Sequence, residues 1–371
     1  MLIGVPKEIK NHEYRVGLTP QSAREYVRHG HKVLVEKYAG AGIGCSDADY
    51  AAAGAAISET ASEIFAKAEM IVKVKEPQAM ERKLLRPNQI LYTYLHLAPD
   101  PDQAKDLINS GAACIAYETV TNARGGLPLL APMSQVAGRM SVQSGAHCLE
   151  KRQGGRGLLL GGVPGVSPAK VVILGGGVVG TNAAAIALGM GADVTIIERS
   201  AERMEELTVR FGLGLKTLYS TQGTIEEECA SADLIIGGVL IPGAAAPKLI
   251  TRAMLKHWKS GSVFVDVAID QGGCAETSHA TTHADPIYVV EGVVHYCVAN
   301  MPGAVARTST YALNNATLPF GLALADKGWK RAMKEDPYLR AGLNVAEGQI
   351  THQAVAGALG LAYVATEKLI V

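Results

Sequence analysis

The sequence has no excess of charge of either sign and no nucleotide-binding P-loop. Its 371 residues contain 35 lysines and arginines and 35 aspartates and glutamates, so the formal net charge is zero. Proteins that bind nucleic acids or anionic membranes usually carry a basic excess, and neither class is favoured here. The string G-x-x-x-x-G-K-[ST] does not occur, which argues against a P-loop NTPase. A small neutral or zwitterionic partner fits this composition better, and we expect neither a nucleic-acid nor a membrane partner.

Paired cysteine motifs and a secretory signal are also missing. The six cysteines are scattered, and no two of them form a C-x-x-C pair. This spacing argues against a zinc ribbon, a thioredoxin site or a dense disulfide framework, and it favours buried, reduced thiols. The first residues, MLIGVPKEIK, lack the long apolar segment of a signal peptide. We therefore expect a cytoplasmic protein.

The composition is that of a folded protein with a large core. Hydrophobic residues make up 48% of the chain and charged residues 19%, which excludes intrinsic disorder. The length corresponds to two domains of ordinary size. The stretch 171–192 is uncharged for 22 residues, which is long enough for a membrane span. Four glycines interrupt it after a short β-branched run, however, and this pattern predicts a strand, a tight turn and a helix.

Short apolar runs alternate with helical segments in two parts of the chain. In the first part we predict strands at 3–5, 32–36, 70–74, 91–93 and 113–117, and helices at 21–29 and 102–110. In the second part we predict strands at 171–174, 194–197, 234–236 and 263–266, and helices after the glycine turn, around 202–211 and around 247–257. A helix at 134–151 and a loop at 153–168 lie between them. Repeated strand-then-helix order predicts an α/β fold with two doubly wound, Rossmann-like units.

The glycine turn is the clearest local motif. After the strand VVIL comes GGGVVG, in which Gly175, Gly177 and Gly180 form a G-x-G-x-x-G string. Such glycines allow a sharp turn, approach of backbone N–H groups to a pyrophosphate, and close packing of helix and strand. The next strand ends at Glu198, where an acid would bond the adenosine ribose and repel the 2′-phosphate of NADP. This context favours a dinucleotide site over a purely structural turn, and the acid favours NAD over NADP. Arg199, beside the acid, could instead accept the 2′-phosphate of NADP.

Six longer segments together resemble a known family. They are VPKEIKNHEYRVGLTP (5–20), VKEP (74–77), YLHLA (94–98), PMSQVAGRMSVQ (132–143), DVAIDQGG (266–273) and VANMPGAVARTSTYALNNAT (298–317). Over essentially the whole chain the sequence is similar to the alanine dehydrogenases. The NAD-binding component of proton-translocating transhydrogenase and the saccharopine dehydrogenases are related members of the same superfamily.

The resemblance implies a reaction and an organisation. The reaction is the reversible oxidation of L-alanine by NAD to pyruvate, ammonium and NADH. Residues 1–130 and 307–371 would form a discontinuous catalytic domain, into which an NAD-binding Rossmann domain of residues 131–306 is inserted. The resemblance also implies a homo-hexamer.

The resemblance further implies roles for four polar residues. Arg15 would bind the substrate carboxylate, and Lys75 would bind the carboxylate or the carbonyl oxygen. His96 would act as general acid and base, with Asp270 as the second proton-handling residue. The alternatives are that Arg15 and Lys75 are ordinary surface charges and that His96 is structural. Glu118 would either support the substrate pocket or serve the fold alone.

The resemblance also implies a set of residues around NAD. They are Ser134, Gly175, Gly177, Val178, Gly180, Glu198, Arg203, Ser220, Val239, Leu240, Val267, Asp270, Val298, Asn300 and Met301. Two positions depart from the family pattern: Glu198 stands where Asp is more frequent, and His279 stands where Arg is common. His279 and His283 have the i, i+4 spacing of a zinc protease, but Ala280 replaces the required Glu, so no metal is expected.

Two other functions fit parts of the sequence. A transhydrogenase component would share the NAD-binding motifs, but it would not need a substrate pocket with His96 and Lys75. A non-catalytic NAD-sensing protein would have no use for Arg15, Lys75, His96 and Asp270 together.

Overall fold

The computed structural model describes residues 1–239 and 246–370. The chain divides into two compact units, which we call unit 1 (residues 1–133 and 305–371) and unit 2 (residues 134–304). Within these described residues, each unit contains one sheet. Within the described ranges, no helix is both long enough and apolar enough to cross a membrane.

Helices and strands alternate along most of the chain. The first part contains β1 (Leu2–Val5), α1 (Pro20–Arg28), β2 (Lys32–Glu36), α2 (Asp47–Ala52), β3 (Ala56–Ser58), α3 (Ala61–Lys67), β4 (Met70–Val72), α4 (Ala79–Arg82), β5 (Ile90–Thr93), α5 (Pro101–Ser110) and β6 (Ala113–Ala116). The middle part contains α6 (Ala131–Cys148), β7 (Lys170–Leu174), α7 (Val178–Gly189), β8 (Asp193–Glu198), α8 (Ala201–Phe211), β9 (Leu215–Tyr219), α9 (Gln222–Ser231), β10 (Leu234–Gly237), α10 (Arg252–Leu255), β11 (Val263–Asp266), β12 (Ile287–Val290) and β13 (Val293–Tyr296). The last part contains α11 (Ala306–Lys327), α12 (Trp329–Glu335), α13 (Pro337–Arg340), β14 (Leu343–Ala346), β15 (Gln349–Ile350) and α14 (Gln353–Leu359).

The sheet of unit 1 has eight strands in the order β15-β14-β6-β5-β4-β1-β2-β3. The six strands from β6 to β3 are parallel, whereas β14 pairs antiparallel with β6 and with β15. The strand order reverses between β1 and β4, because the chain winds outward from this pair in both directions. In doubly wound sheets, ligands bind beyond the carboxyl ends of the strands at such a switch point.

The sheet of unit 2 has seven strands in the order β12-β13-β11-β10-β7-β8-β9. All are parallel except β12, which pairs antiparallel with β13 at one edge. The switch point lies between β7 and β10. Residues Val171 to Leu174 of β7 are all buried, as expected for a central strand covered by helices on both faces.

The sequence-based prediction of the fold class is confirmed, because both units are doubly wound and mostly parallel. The uncharged stretch 171–192 forms a strand, a turn and a helix, as predicted. One prediction was wrong. The helix expected at 247–257 is reduced to α10, because Leu249 and Ile250 donate backbone hydrogen bonds to Cys274 O and Ile250 accepts one from Glu276 N. Thr251 then caps a single turn by accepting from Met254 N.

Strands β3, β9, β12, β13, β14 and β15 were not predicted. Three of these, β12, β14 and β15, lie on the antiparallel side of their sheets, and β15 contains only two residues. Their existence depends on pairing with a neighbour and not on a strong local pattern.

Candidate active site

Four polar residues predicted from the sequence follow four strands of the unit 1 sheet. Arg15 comes after β1, Lys75 after β4, His96 after β5, and Glu118 after β6. These strands are parallel and adjacent, so their carboxyl ends lie along one edge of the sheet, and this edge includes the switch point. We call it the carboxyl edge of unit 1.

Arg15 is buried and held by a carboxylate that was not predicted from the sequence. Its Nε lies 2.6 Å from Glu13 Oε1, and its Nη2 lies 2.6 Å from Glu13 Oε2. The side chains of Arg15 and Glu13 are 1% and 0% exposed. Burial alone would raise the pKa of the Glu13 carboxyl, but the hydrogen bonds and charge of Arg15 lower it. This paired contact orients the guanidinium, whose Nη1 reaches Met133 Sδ at 3.2 Å.

Lys75 follows a fully buried lysine. Lys73 is 0% exposed, and its Nζ lies 3.0 Å from Glu8 Oε2 and 2.8 Å from Glu81 Oε1. Burial alone would lower the pKa of Lys73, but the two carboxylates raise it, so the ammonium stays protonated. Glu8 Oε1 also accepts from the backbone N–H groups of Val74 (2.7 Å) and Lys75 (3.2 Å). Glu8 therefore connects the buried ion pairs to the backbone of Lys75, whose side chain is half-buried.

His96 is exposed and has a left-handed backbone, with φ of 49°. This conformation is uncommon for residues other than glycine and calls for support from the surroundings. Glu118 provides it, because Oε1 accepts from His96 N at 2.6 Å and from Leu95 N at 3.2 Å. The ring of His96 stacks on that of Tyr94 with 5.8 Å between centroids. Glu118 thus fixes the backbone of His96, and Tyr94 stacks on its ring.

In unit 2, the predicted cofactor residues follow the six parallel strands. Gly175 and Gly177 come after β7, Glu198 ends β8, and Ser220 comes after β9. The remaining residues follow the other three strands: Val239 follows β10, Val267 and Asp270 follow β11, and Val298, Asn300 and Met301 follow β13. They therefore lie along the carboxyl edge of the unit 2 sheet. Ser134 lies on α6, and Leu240 falls outside the described residues.

The three glycines of the turn meet different surroundings. Gly175 has φ of 94°, which a residue with a Cβ adopts only under strain. A Cβ on Gly180 would lie 1.9 Å from Gly175 O, so helix α7 can approach the strand only with glycine there. A Cβ on Gly177, by contrast, would meet no described atom within 4 Å. The space before Gly177 and the first N–H groups of α7 therefore fits a phosphate group.

Glu198 and Arg203 are both bonded to the glycine turn. Glu198 Oε2 accepts from Gly176 N at 2.6 Å, and Oε1 accepts from Arg199 N at 2.6 Å. Burial alone would raise the pKa of Glu198, but these backbone bonds lower it, so the carboxylate is ionised at neutral pH. Arg203 donates from Nε to Gly176 O at 2.8 Å and from Nη2 to Thr181 Oγ1 at 2.7 Å. Arg203 therefore supports the turn itself.

Asp270 lies in a short 3-10 segment, Val267–Gln271, directly after β11. Its side chain is exposed, and Oδ1 accepts from Asn300 N at 3.4 Å. Asn300 has φ of 59°, and its carbonyl oxygen lies 3.3 Å from His283 Nε2. Val267 is half-buried, whereas Val298 and Met301 are buried.

The histidine pair of the sequence motif makes separate contacts. The ring of His279 stacks on that of Tyr288 with 3.7 Å between centroids, whereas His283 contacts Asn300. Within residues 1–239 and 246–370, no group of three or more His, Cys, Asp or Glu side chains is arranged to hold a metal ion.

Glu13, Glu8, Lys73 and Glu81 were not singled out from the sequence. A signal was present in each case, because a charged residue inside or beside a buried apolar strand needs a partner of opposite charge. Lys73 directly follows the buried strand β4, and Glu13 stands two residues before Arg15.

Comparisons with known proteins identify the family of the chain. Residues 4–137 match the family model described as alanine dehydrogenase/PNT, N-terminal domain, and residues 141–353 match that of the C-terminal domain. The alanine dehydrogenase of Halomonas elongata is 62% identical over 370 residues, which cover 100% of each chain.

Solved structures give the same result. A structure of L-alanine dehydrogenase matches with a TM-score of 0.94 at 52% identity, covering 97% of this chain and 99% of that chain. A transhydrogenase from Sinorhizobium meliloti matches with a TM-score of 0.83 at 25% identity, covering 94% and 100%. The resemblance inferred from the sequence motifs is confirmed, and the chain belongs to the alanine dehydrogenase/PNT family.

Proposed function

We propose that this protein is an NAD-dependent L-alanine dehydrogenase, which converts L-alanine reversibly to pyruvate and ammonium with formation of NADH. The observation that carries the proposal is the carboxyl edge of unit 1. There, in a chain of this family, Arg15, Lys75 and His96 follow β1, β4 and β5, which are neighbouring strands. Two cations and an imidazole suit a small substrate that has one carboxylate and one amine.

Arg15 binds the substrate carboxylate in this proposal. Glu13 accepts hydrogen bonds from Nε and Nη2 of the guanidinium and so fixes its orientation. A guanidinium held by a buried carboxylate loses little conformational entropy on binding, which favours tight orientation of a small amino acid. Lys75 polarises the carbonyl oxygen of pyruvate or binds the carboxylate, and Glu8 fixes its backbone.

His96 handles the protons of the reaction. An imidazole titrates near neutral pH, so it can take a proton from the substrate amine or from an attacking water and return it. Glu118 holds the backbone of His96 and Tyr94 stacks on its ring, and this support reduces the cost of reaching the reactive geometry. Asp270 is the second proton-handling residue; its role is proposed from the sequence resemblance.

NAD, when bound, supplies the acceptor for the hydride of the substrate Cα. In unit 2, the turn from Gly175 to Gly180 would hold its pyrophosphate, and Glu198 would bond its adenosine ribose. The fit is supported by the open space at Gly177 and by the ionised carboxylate of Glu198. Because a carboxylate at this position repels a 2′-phosphate, we propose NAD and not NADP as the cofactor.

The two units then have different tasks. We assign the substrate to unit 1 and the cofactor to unit 2, with domain boundaries near those predicted from the sequence. The six free and buried cysteines support a reducing, cytoplasmic location. A homo-hexamer is proposed from the family resemblance.

The test is NADH formation by the purified protein with NAD and L-alanine. Glycine, L-serine, L-lysine and a reaction without substrate are the controls. Strong turnover with L-alanine alone supports the proposal. Absence of turnover with every amino acid, in a protein that still binds NADH, would refute it in favour of a redox-coupling or sensing role. The higher identity to alanine dehydrogenases, 49–62% against 25% for the transhydrogenase, favours the first result.

A further inference from the structure

The last residue of β11, Asp266, is a carboxylate without solvent exposure. Both of its oxygens accept hydrogen bonds. Oδ1 lies 3.0 Å from Ala268 N, and Oδ2 lies 2.8 Å from Cys274 N and 2.5 Å from Ser278 Oγ. A buried carboxylate with this many donors stays fixed, because losing any one of them leaves a buried charge less satisfied.

The donors to Asp266 stand on both sides of Asp270 in the sequence. Ala268 precedes Asp270 by two residues, and Cys274 follows it by four. One carboxylate therefore closes a loop around the 3-10 segment that carries Asp270. Gly273 is required for this closure, because its φ is 76° and a Cβ there would lie 2.7 Å from Asp266 Oδ2.

The carbonyl groups of the same loop are held by a cation. Lys248 Nζ donates to the carbonyl oxygens of Gly272 (2.6 Å), Gly273 (2.9 Å) and Ala275 (3.1 Å). Asp266 binds N–H groups of the loop, and Lys248 binds its C=O groups. Hydrogen bonds to charged groups are stronger than those between neutral groups, so this loop is held more firmly than an ordinary turn.

We propose that Asp266 is a positioning residue for Asp270. It acts through the backbone of residues 268–274, to which it is hydrogen-bonded at Ala268 and Cys274. In this arrangement of the backbone, the side chain of Asp270 is exposed and accepts from Asn300 N. This inference rests on the proposed function, in which Asp270 handles protons.

Asparagine is a sharp test of this role because it has the same shape. Its amide offers one oxygen and one NH₂ group, whereas the site presents a backbone N–H to each carboxylate oxygen. In either orientation of the amide, the NH₂ group faces Ala268 N–H or Cys274 N–H, and that contact is lost. D266N therefore releases one end of the loop without changing side-chain volume.

The matched control is D233N. Asp233 is also a buried aspartate of unit 2, 6% exposed, and it accepts from Lys170 N at 2.9 Å and from Lys259 Nζ at 2.9 Å. It precedes β10, at the opposite ends of the strands from Asp270. D233N removes the charge of a buried aspartate, one that is paired with Lys259 and Arg156, without touching the loop.

The first measurement is backbone hydrogen exchange of residues 267–278 in the protein without NAD. We expect faster exchange in D266N than in wild type and D233N, since the loop opens more often when one end is released. The second measurement is steady-state kinetics with L-alanine. We expect D266N to lower kcat by about tenfold to a hundredfold, with little change in KM, because the misplaced group acts in the chemical step.

If residues 267–278 of D266N exchange at the same rate as in wild type, the positioning role is overturned, whatever the kcat of the variant. Faster exchange with unchanged kcat would also overturn it, because the loop would then be held for the fold alone. A wild-type protein without alanine dehydrogenase activity would refute the proposed function, and the exchange result would still be read independently. Equal losses of kcat in D266N and D233N would indicate general destabilisation and would contradict the inference.

Discussion

The carboxyl edges of the two sheets differ in the groups that they present, although both sheets are doubly wound. In unit 1 the edge carries charged side chains, and its buried cations each have a carboxylate partner: Glu13 pairs with Arg15, and Glu8 and Glu81 pair with Lys73. In unit 2 the edge near the switch point is made of glycines and backbone N–H groups. The same topology thus supports two kinds of recognition.

The difference follows from the two ligands that we propose. A small amino acid has one carboxylate, and a buried guanidinium can hold it with a defined direction. A pyrophosphate is larger and spreads its charge over several oxygens, so backbone N–H groups at a helix start suit it better. Charged residues need partners in order to be buried, whereas glycines need only space.

The largest effect should come from removing the imidazole of His96 in unit 1. We expect H96A to lower kcat by about 10²- to 10⁴-fold, because general acid–base catalysis contributes on that order. NADH binding should stay near the wild-type value, since His96 belongs to unit 1. Fluorescence titration with NADH and steady-state kinetics test both parts. The control is H257A, which removes an exposed histidine of unit 2 and should leave turnover unchanged. Unchanged turnover in H96A would exclude His96 from the mechanism.

The next largest effect should come from breaking the buried ion pair between Glu13 and Arg15. We expect E13Q to lower the free energy of unfolding by about 3–5 kcal/mol, because Arg15 keeps its charge and loses its partner. Chemical denaturation measures this change. E63Q is the control, since Glu63 forms an exposed pair with Lys67, and exposed pairs contribute little to stability. Equal losses in the two variants would show that burial of the pair does not matter.

The same pair has a defined dependence on pH. The pKa of Glu13 is lowered in the folded protein, so its contribution to stability is complete above the unfolded value of about 4.3. That contribution is lost as the pH falls from there through the folded pKa. Wild-type stability should therefore fall more steeply than that of E13Q below about pH 4.3.

Two glycine variants separate the structural and ligand-binding parts of the unit 2 edge. We expect G180A to lower the free energy of unfolding by about 1–3 kcal/mol, because its Cβ would overlap Gly175 O. We expect G177A to fold as stably as wild type but to bind NADH more weakly, because its Cβ enters the open space of the phosphate site. Denaturation and NADH titration of both variants test this. Wild-type NADH affinity in G177A would contradict the proposed site.

The smallest effect concerns the choice of cofactor. We expect E198Q to raise the ratio of kcat/KM for NADP over NAD by about tenfold, because the carboxylate no longer repels the 2′-phosphate. E202Q removes an exposed carboxylate from the first turn of α8 and should leave the ratio unchanged. A ratio that stays at the wild-type value in E198Q would mean that the carboxylate does not select the cofactor.

Much of this architecture could be predicted from the sequence because its signals are local. The run of apolar residues before Gly175, the three glycines and the acid at Glu198 follow one another closely along the chain. The ion partners of unit 1 could not be predicted in the same way. Glu8 and Lys73 are 65 positions apart, and only the pairing of β1 with β4 brings them together. The helix at 247–257 was overestimated because its first half pairs with the loop after β11.

The distribution of the six buried thiols has a consequence for how the molecule can be studied. Cys45 and Cys114 lie in unit 1, and the other four lie in unit 2. Burial raises the pKa of the Cys148 and Cys229 thiols to about 12, so they are protonated and unreactive in the closed fold. An alkylating reagent can label such a thiol only while the surrounding structure is transiently open. The labelling rates of these native residues, resolved by peptide mass, therefore measure how often each unit opens.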